Sequence, residues 1–130
     1  MALYRNEKAF KNDLMRALRV QGAFVTPIQT RTVPGVPDLY VASKHGLRWI
    51  ECKIIHANFD KWTAMKQIPF RTGQIAWAYH HYLFSQKEVI CAIAFDDCLK
   101  YFYMNDFFEG SHIARPQFTD LQLDILTNIL

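Results

Sequence analysis

The run from Pro34 to Lys53, PGVPDLYVASKHGLRWIECK, constrains the fold more than any other stretch of the chain. It reads as an extended segment, a short glycine-bearing turn and a second extended segment. Asp38 opens the first strand, and Glu51 and Lys53 close the second. Strand alternation puts Glu51 and Lys53 on one face and Ile50, Cys52 and Ile54 on the other. A two- or four-residue turn centred on Lys44-His45 pairs residues whose numbers sum to 89, as 38 and 51 do. Asp38 then stands opposite Glu51 with Cβ atoms about 5 Å apart. A three-residue turn without a bulge instead sends the two side chains to opposite faces.

Two facing carboxylates repel, and a positive centre between them makes the arrangement sensible. Hard oxygen ligands in small number, with room for water and phosphate, suit Mg²⁺, with Mn²⁺ as a substitute, rather than zinc. Lys53 beside them supplies a point charge that orients a water or meets the charge on a phosphate under attack. The alternative is a surface hairpin closed by a Glu51–Lys53–Asp38 salt bridge.

The 130 residues are expected to form one compact domain, residues 1–130, and 51% hydrophobic with 15% aromatic residues points to an ordered globular chain. No apolar run approaches a membrane span, and the first residues are too charged for a signal sequence, so an intracellular protein is expected. Three cysteines, Cys52, Cys91 and Cys98, in no CxxC spacing read as reduced, buried thiols. The net charge of +3 is unevenly spread: residues 1–81 carry +7 and residues 82–130 carry −4. A polyanionic partner on one side fits that distribution.

Residues 3–21 are strong helix formers without Gly or Pro, stopped by Gly22. Leu3, Phe10, Leu14, Ala17 and Leu18 share one stripe, and Glu7 falls inside it. A carboxylate there needs a cation or donors to meet it, unless it reaches outward from the boundary. Residues 23–31 read as a strand broken at Pro27, hence an edge or a bulge. Pro34–Pro37 is a rigid turn with a glycine hinge. Residues 55–70 read as a long loop or broken helix in which Lys61 and Lys66 interleave with Trp62 and Phe70, suited to nucleic acid or to plain loop packing. Residues 72–86 form a helix apolar on most sides, expected to be well buried, with Gln74, Ala78 and His81 along one face. Residues 88–96 are a central strand and Cys98–Asp106 a further one. Pro116 precedes an expected amphipathic helix carrying Leu121, Leu123, Ile125, Leu126 and Ile129. The order α-β-β-β-α-β-β-α predicts an α/β fold: a mixed sheet flanked by helices.

Pro37-Asp38, twelve intervening residues and Glu51-Cys52-Lys53 resemble the PD-(D/E)xK nuclease superfamily, whose fold is restriction-endonuclease-like. The longer pattern includes Pro34-Gly35-Val36-Pro37-Asp38, Trp49-Ile50 before Glu51, and Gln74 opening a helix. It resembles the virus-type replication–repair nuclease (VRR-Nuc) branch and is similar to archaeal Holliday-junction resolvases. The resemblance covers residues 1 to about 85. It implies that Asp38 and Glu51 bind a divalent metal, that the Cys52 carbonyl completes the site and that Glu7 joins directly or through water. It implies that Lys53 acts on water and phosphate, that Gln74 supports the site, and that the product carries a 5′-phosphate and a 3′-hydroxyl. Tyr79 stands five residues after Gln74 rather than four as in the RecB-type variant, which favours the resolvase-like branch.

The expected activity is therefore metal-dependent cleavage of branched DNA, foremost four-way junctions. A junction needs two symmetric cuts, so a homodimer is expected. Lys44, Arg48, Lys61, Lys66 and Arg71 are candidate phosphate contacts. A flap, nick or restriction-like nuclease keeps the chemistry with another substrate; a DNA-binding module without catalysis keeps only the fold.

Overall fold

The computed structural model describes residues 2–29, 32–63, 68–107 and 117–130. Helix α1 (Glu7–Val20) begins where Asn6 accepts a hydrogen bond from the Ala9 N–H at 2.9 Å, a side-chain cap. The cap sits later than the sequence pattern suggested, so Leu3 falls outside the helix and is 51% exposed rather than part of its apolar stripe. Phe10, Leu14 and Leu18 are fully buried, as that stripe predicts.

Strands β1 (Phe24–Pro27), β2 (Leu39–Ser43), β3 (Gly46–Ile54), β4 (Val89–Ala94), β5 (Leu99–Tyr103) and β6 (Thr119–Asp120) form one sheet in sequence order. Only the β3–β4 pair is parallel, and the intervening crossover carries α2 (Phe59–Thr63) and α3 (Gln74–Ser85). β1 pairs with β2 alone among the described strands and stops at Pro27, whose missing N–H suits an edge. β4 is buried at every residue. Ile90, Ala92 and Ala94 pack with α1, while Val89, Cys91 and Ile93 pack toward Ala78 of α3. Cys52 and Cys91 are buried free thiols, and Cys98 is half-buried. No helix among the described residues is long and apolar enough to cross a membrane.

Two expectations need correction. α3 is not well buried: only Gln74 and Ala78 are, while Tyr79, Leu83 and Phe84 face outward. Ile75 and Trp77 are half-buried against the core cluster on the α3 side of the sheet, while the outer face of the helix carries Leu83 and Phe84. Residues 117–130 do not form the expected helix; after β6 they run as turns. Gln21, at the end of α1, explains how that backbone is held. Its amide donates to the Leu123 carbonyl at 2.7 Å and accepts from the Leu126 N–H at 2.7 Å. Leu121, Leu126 and Ile129 still reach the core, delivered by turns instead of a helical face.

Candidate active site

β2 and β3 are joined through Lys44-His45, and their pairs run from Ser43 with Gly46 to Leu39 with Ile50. Extended by one residue, that register sets Asp38 beside Glu51, the pairing expected of the two-residue turn. On β3, Ile50 and Cys52 enter the α1-side core. Glu51 and Lys53 are in register with Cys91 and Ile93, on the α3 side. Glu51, Lys53 and Gln74 are 1%, 3% and 5% exposed and are the buried polar or charged side chains among the described residues.

Each is held by named partners. One Asp38 carboxylate oxygen accepts from the Cys52 N–H at 2.9 Å, and the Asp38 carbonyl accepts from the Ile28 N–H at 2.8 Å. Gln74 is oriented by the Arg71 N–H, which donates to its Oε1 at 2.7 Å; its Nε2 then donates to Glu51 Oε2 at 2.6 Å. Lys53 Nζ stands 3.6 Å from the same Glu51 oxygen and 5.6 Å from the centre of the Phe70 ring.

The start of α3 is fixed against the 34–38 turn by two glycines. Gly35 (φ +88°) lies so close to Gly73 (φ +89°) that a Cβ on Gly35 would stand 2.1 Å from the Gly73 carbonyl oxygen. Both positions need the left-handed backbone that glycine allows. Behind them, Tyr40, Trp49, Trp77 and His81 form a chain of ring contacts tying α3 to the hairpin: Tyr40–Trp49 and Trp49–Trp77 at 5.2 Å, Trp77–His81 stacked at 5.0 Å.

Burial pushes the Glu51 carboxyl up to about 8, and the neighbouring Asp38 charge pushes the same way. Lys53 opposes the shift, Glu7 adds to it and Arg71 opposes it. The Glu7 carboxyl is raised too, by burial first and then by Asp38, with Lys53, Arg71 and Lys11 opposing. Glu7 thus reaches this cluster electrostatically from the first turn of α1. Glu51 Oε1 is buried with no hydrogen-bond partner. A carboxylate oxygen left so is costly unless something else meets it.

That orphaned oxygen beside Asp38 fits a hard divalent cation. Among the described residues no three His, Cys, Asp or Glu side chains form a ready-made metal cage. The oxygens of Asp38 and Glu51 are the hard donors that Mg²⁺ takes together with water. Asp38 and Glu51 would hold it, with the Cys52 main chain and Glu7 as the further expected contributors. The Cys52 thiol is no candidate, because it lies on the opposite face of β3 and burial raises it well above its ordinary value.

Of the expected phosphate contacts, Arg71 is brought to the site: it is felt by both Glu7 and Glu51 and lines the cleft in front of Asp38. Lys44 is exposed at the hairpin tip, the far end of β2 from Asp38. Arg48 pairs with Val41 and so belongs to the α1 side of the sheet, away from Glu51. Lys61 is exposed on α2, and Lys66 lies outside the described residues. The sequence reading missed Phe70 as a neighbour of Lys53 and the Gly35–Gly73 contact. The Thr72-Gly73-Gln74 step was the available signal for the second.

The fold is similar to that of the Holliday junction resolvase Hjc of Archaeoglobus fulgidus, an archaeal hyperthermophile. The TM-score is 0.59 at 14% sequence identity, over 89% of this chain and 89% of that one. The expected restriction-endonuclease-like α/β fold is thus the observed one. No protein-family model matches the chain, and no curated protein matches it in sequence.

Proposed function

We propose that this chain is a divalent-metal-dependent DNA endonuclease that cuts branched DNA, foremost four-way junctions, as a homodimer. The observation that carries the reading is the buried Glu51 carboxyl. It lies beside Asp38 and Lys53, is held by Gln74 through one oxygen and has no partner at the other. Stability alone does not favour such a cluster, since well-packed apolar residues of similar volume serve it as well or better. Perturbed carboxyls grouped with a lysine mark a reaction site. The fold supports the reading, since a protein of the same fold is a Holliday junction resolvase. The Pro37-Asp38…Glu51-Cys52-Lys53 pattern supports the nuclease superfamily, and the longer pattern around Gly35 and Gln74 supports its VRR-Nuc branch.

Asp38 and Glu51 would hold Mg²⁺ or Mn²⁺, which would supply Lewis acidity and lower the pKa of water there. The chain's own residues do the rest. The Cys52 N–H fixes one Asp38 oxygen and leaves the other for binding. Gln74 fixes the Glu51 carboxylate in one rotamer. Lys53 places its ammonium where negative charge builds on the phosphate. Hydrolysis adds the hydroxyl of water to phosphorus, breaks the bond to the 3′ oxygen and leaves a proton there, giving a 5′-phosphate and a 3′-hydroxyl. Two such sites related by a two-fold axis make the paired cuts a junction requires. DNA as substrate makes an intracellular setting part of this proposal.

The test is cleavage of a four-way junction, a flap, a nicked duplex and a plain duplex of one sequence, with Mg²⁺, Mn²⁺ or EDTA. Asp38→Ala runs beside the wild type. Paired symmetric cuts in the junction, lost in EDTA and in Asp38→Ala, are expected. Equal cutting of flap or duplex removes the junction preference and keeps the nuclease. No cutting of any substrate with either metal leaves a DNA-binding module.

A further inference from the structure

Among the described residues expected to meet phosphate, Arg71 is the one the fold brings to the carboxylates. A further cation, outside that expected set, comes from α1. At 100° per residue, Phe10 and Met15, both buried, bound the arc of α1 that packs into the core. Leu14 and Leu18 fall inside that arc, and so do Glu7 and Lys11, both half-buried. A lysine four residues after a glutamate has its Cβ about 5–6 Å from that of the glutamate. The Glu7 carboxyl, raised by burial and by Asp38, is drawn back by Lys53, Arg71 and Lys11 in that order. Resting on the nuclease reading above, we propose that Lys11 binds the DNA backbone at a phosphate next to the one being cut.

Three observations support this. The first is that Lys11 faces inward without a partner. Of the other cations of α1, Arg16 pairs with Asp13 at 2.8 Å and Arg19 donates to the Val25 carbonyl at 3.0 Å. Lys11 forms no salt bridge among the described residues. A half-buried ammonium is favoured where an anion comes to meet it. The second is the balance of charge. Asp38, Glu51 and Glu7 stand among Lys53, Arg71 and Lys11, and those carboxyls are the groups suited to a divalent ion. The cations remain for phosphate. The third is placement. Lys53, 3% exposed and 3.6 Å from Glu51, serves the reacting phosphate. Lys11 lies about 6 Å further along α1 than Glu7 and is open to solvent, so a neighbouring phosphate reaches it. Such a contact is the same before and during the reaction, and it contributes binding rather than rate.

The test compares Lys11→Gln, Lys11→Met and Lys11→Arg with the wild type and with Arg16→Gln. Affinity for a labelled four-way junction and for a plain duplex is measured by fluorescence anisotropy in Ca²⁺ over a series of KCl concentrations. Removing one phosphate contact makes the slope of log K against log salt shallower by about 0.9 and weakens binding about five- to tenfold at about 0.1 M salt. Lys11→Gln and Lys11→Met are both expected to do this, while Lys11→Arg and Arg16→Gln keep the wild-type slope. In Mg²⁺, KM for cleavage should rise by the same factor in Lys11→Gln, with kcat within about twofold.

An unchanged salt slope in Lys11→Gln and Lys11→Met overturns the inference. So does wild-type affinity in Lys11→Met alone, because the lysine stem then serves only to cover apolar surface. A fall in kcat with binding unchanged overturns it too, placing Lys11 in the chemical step. Wild-type cutting with a slope indifferent to Lys11 keeps the nuclease and removes the contact. A slope that depends on Lys11, without cutting in Mg²⁺ or Mn²⁺, keeps the contact and removes the nuclease.

Discussion

Ile50, Cys52 and Ile54 leave β3 on one side, and Glu51 and Lys53 leave it on the other. Ile50 and Cys52 are fully buried, Glu51 and Lys53 nearly so, but the two sides meet burial in opposite ways. On the α1 side Ile50 and Cys52 join a cluster of buried apolar residues, and packing stabilises the fold. On the α3 side two charged groups and an amide share a space in which one carboxylate oxygen has no partner and a carboxyl is pushed up to about 8. The same strand therefore holds the chain together with one face and stores an unfavourable arrangement on the other. Such an arrangement persists only because the rest of the sheet over-determines the backbone beneath it.

The largest expected effect comes from breaking the charged face. Asp38→Ala and Glu51→Gln are each expected to lower the cleavage rate by about a hundredfold or more, in gel assays with Mg²⁺. Lys53→Ala is expected to slow the chemical step comparably while calorimetric metal titration still shows binding. Glu51→Gln should leave the metal-free fold as stable or more so at pH 8, because it removes a buried charge. Cleavage retained by Asp38→Ala or Glu51→Gln would remove the site assignment.

Breaking the other face gives the opposite pattern. Ile50→Ala, one position away on the same strand, deletes a fully buried side chain between β2 and β4. It is expected to lower unfolding free energy by about 2–5 kcal/mol, read from the urea midpoint. Cleavage per folded molecule should hold at a temperature where the variant remains native. A folded Ile50→Ala that no longer cuts would show that the two faces are not separable.

A pH titration sharpens the comparison at smaller amplitude. The Glu51 carboxyl ionises at its ordinary value of 4.5 when unfolded and near 8 when folded. Between those values the unfolded chain has released a proton that the folded chain keeps. The unfolded state thus binds fewer protons, and stability falls as pH rises from about 5 to about 8. Glu7, shifted in the same direction, adds to the fall from its acidic end. Thermal melts of the metal-free protein should decline across that window, and Glu51→Gln should flatten most of the decline. Mg²⁺ or Mn²⁺, which favours the ionised carboxylates, should raise Tm more at pH 8 than at pH 5.5. A Tm that is flat or rises over the window in EDTA would contradict the assigned environment of Glu51.

The charged face was legible because its determinants are local. Strand alternation placed Glu51 and Lys53 together, and the Lys44-His45 turn fixed the register that brings Asp38 alongside. Gln74 was legible through the family resemblance, as the Gln that opens a helix and shares a face with Ala78 and His81. The handle on Gln74 was not: the Arg71 N–H meets its side chain only because Gly73 turns the chain left-handed against Gly35, a contact between segments distant in sequence. The turns at the C-terminus were missed for a similar reason. Gln21 supplies partners to the Leu123 carbonyl and the Leu126 N–H from across the fold, removing the need for a helix there. Apolar spacing showed that Leu121, Leu126 and Ile129 belong inside. It did not show which backbone would carry them.

The smallest expected effect concerns α3, where apolar composition and burial part company. The helix reads as apolar nearly all round, yet Phe84 is 89% exposed and Leu83 47%. If exposure governs, Phe84→Ser changes unfolding free energy by no more than about 0.5 kcal/mol, as for other surface positions away from special contacts. The midpoint should also be the same at low and high protein concentration. Ile50→Ala on the same preparation gives the scale for a truly buried deletion. A loss above about 1 kcal/mol for Phe84→Ser that grows with protein concentration would mean that a second copy covers this face. The burial written into the helix would then be met between chains, and the exposed residues of α3 would belong with the apolar face of β3 rather than with the surface.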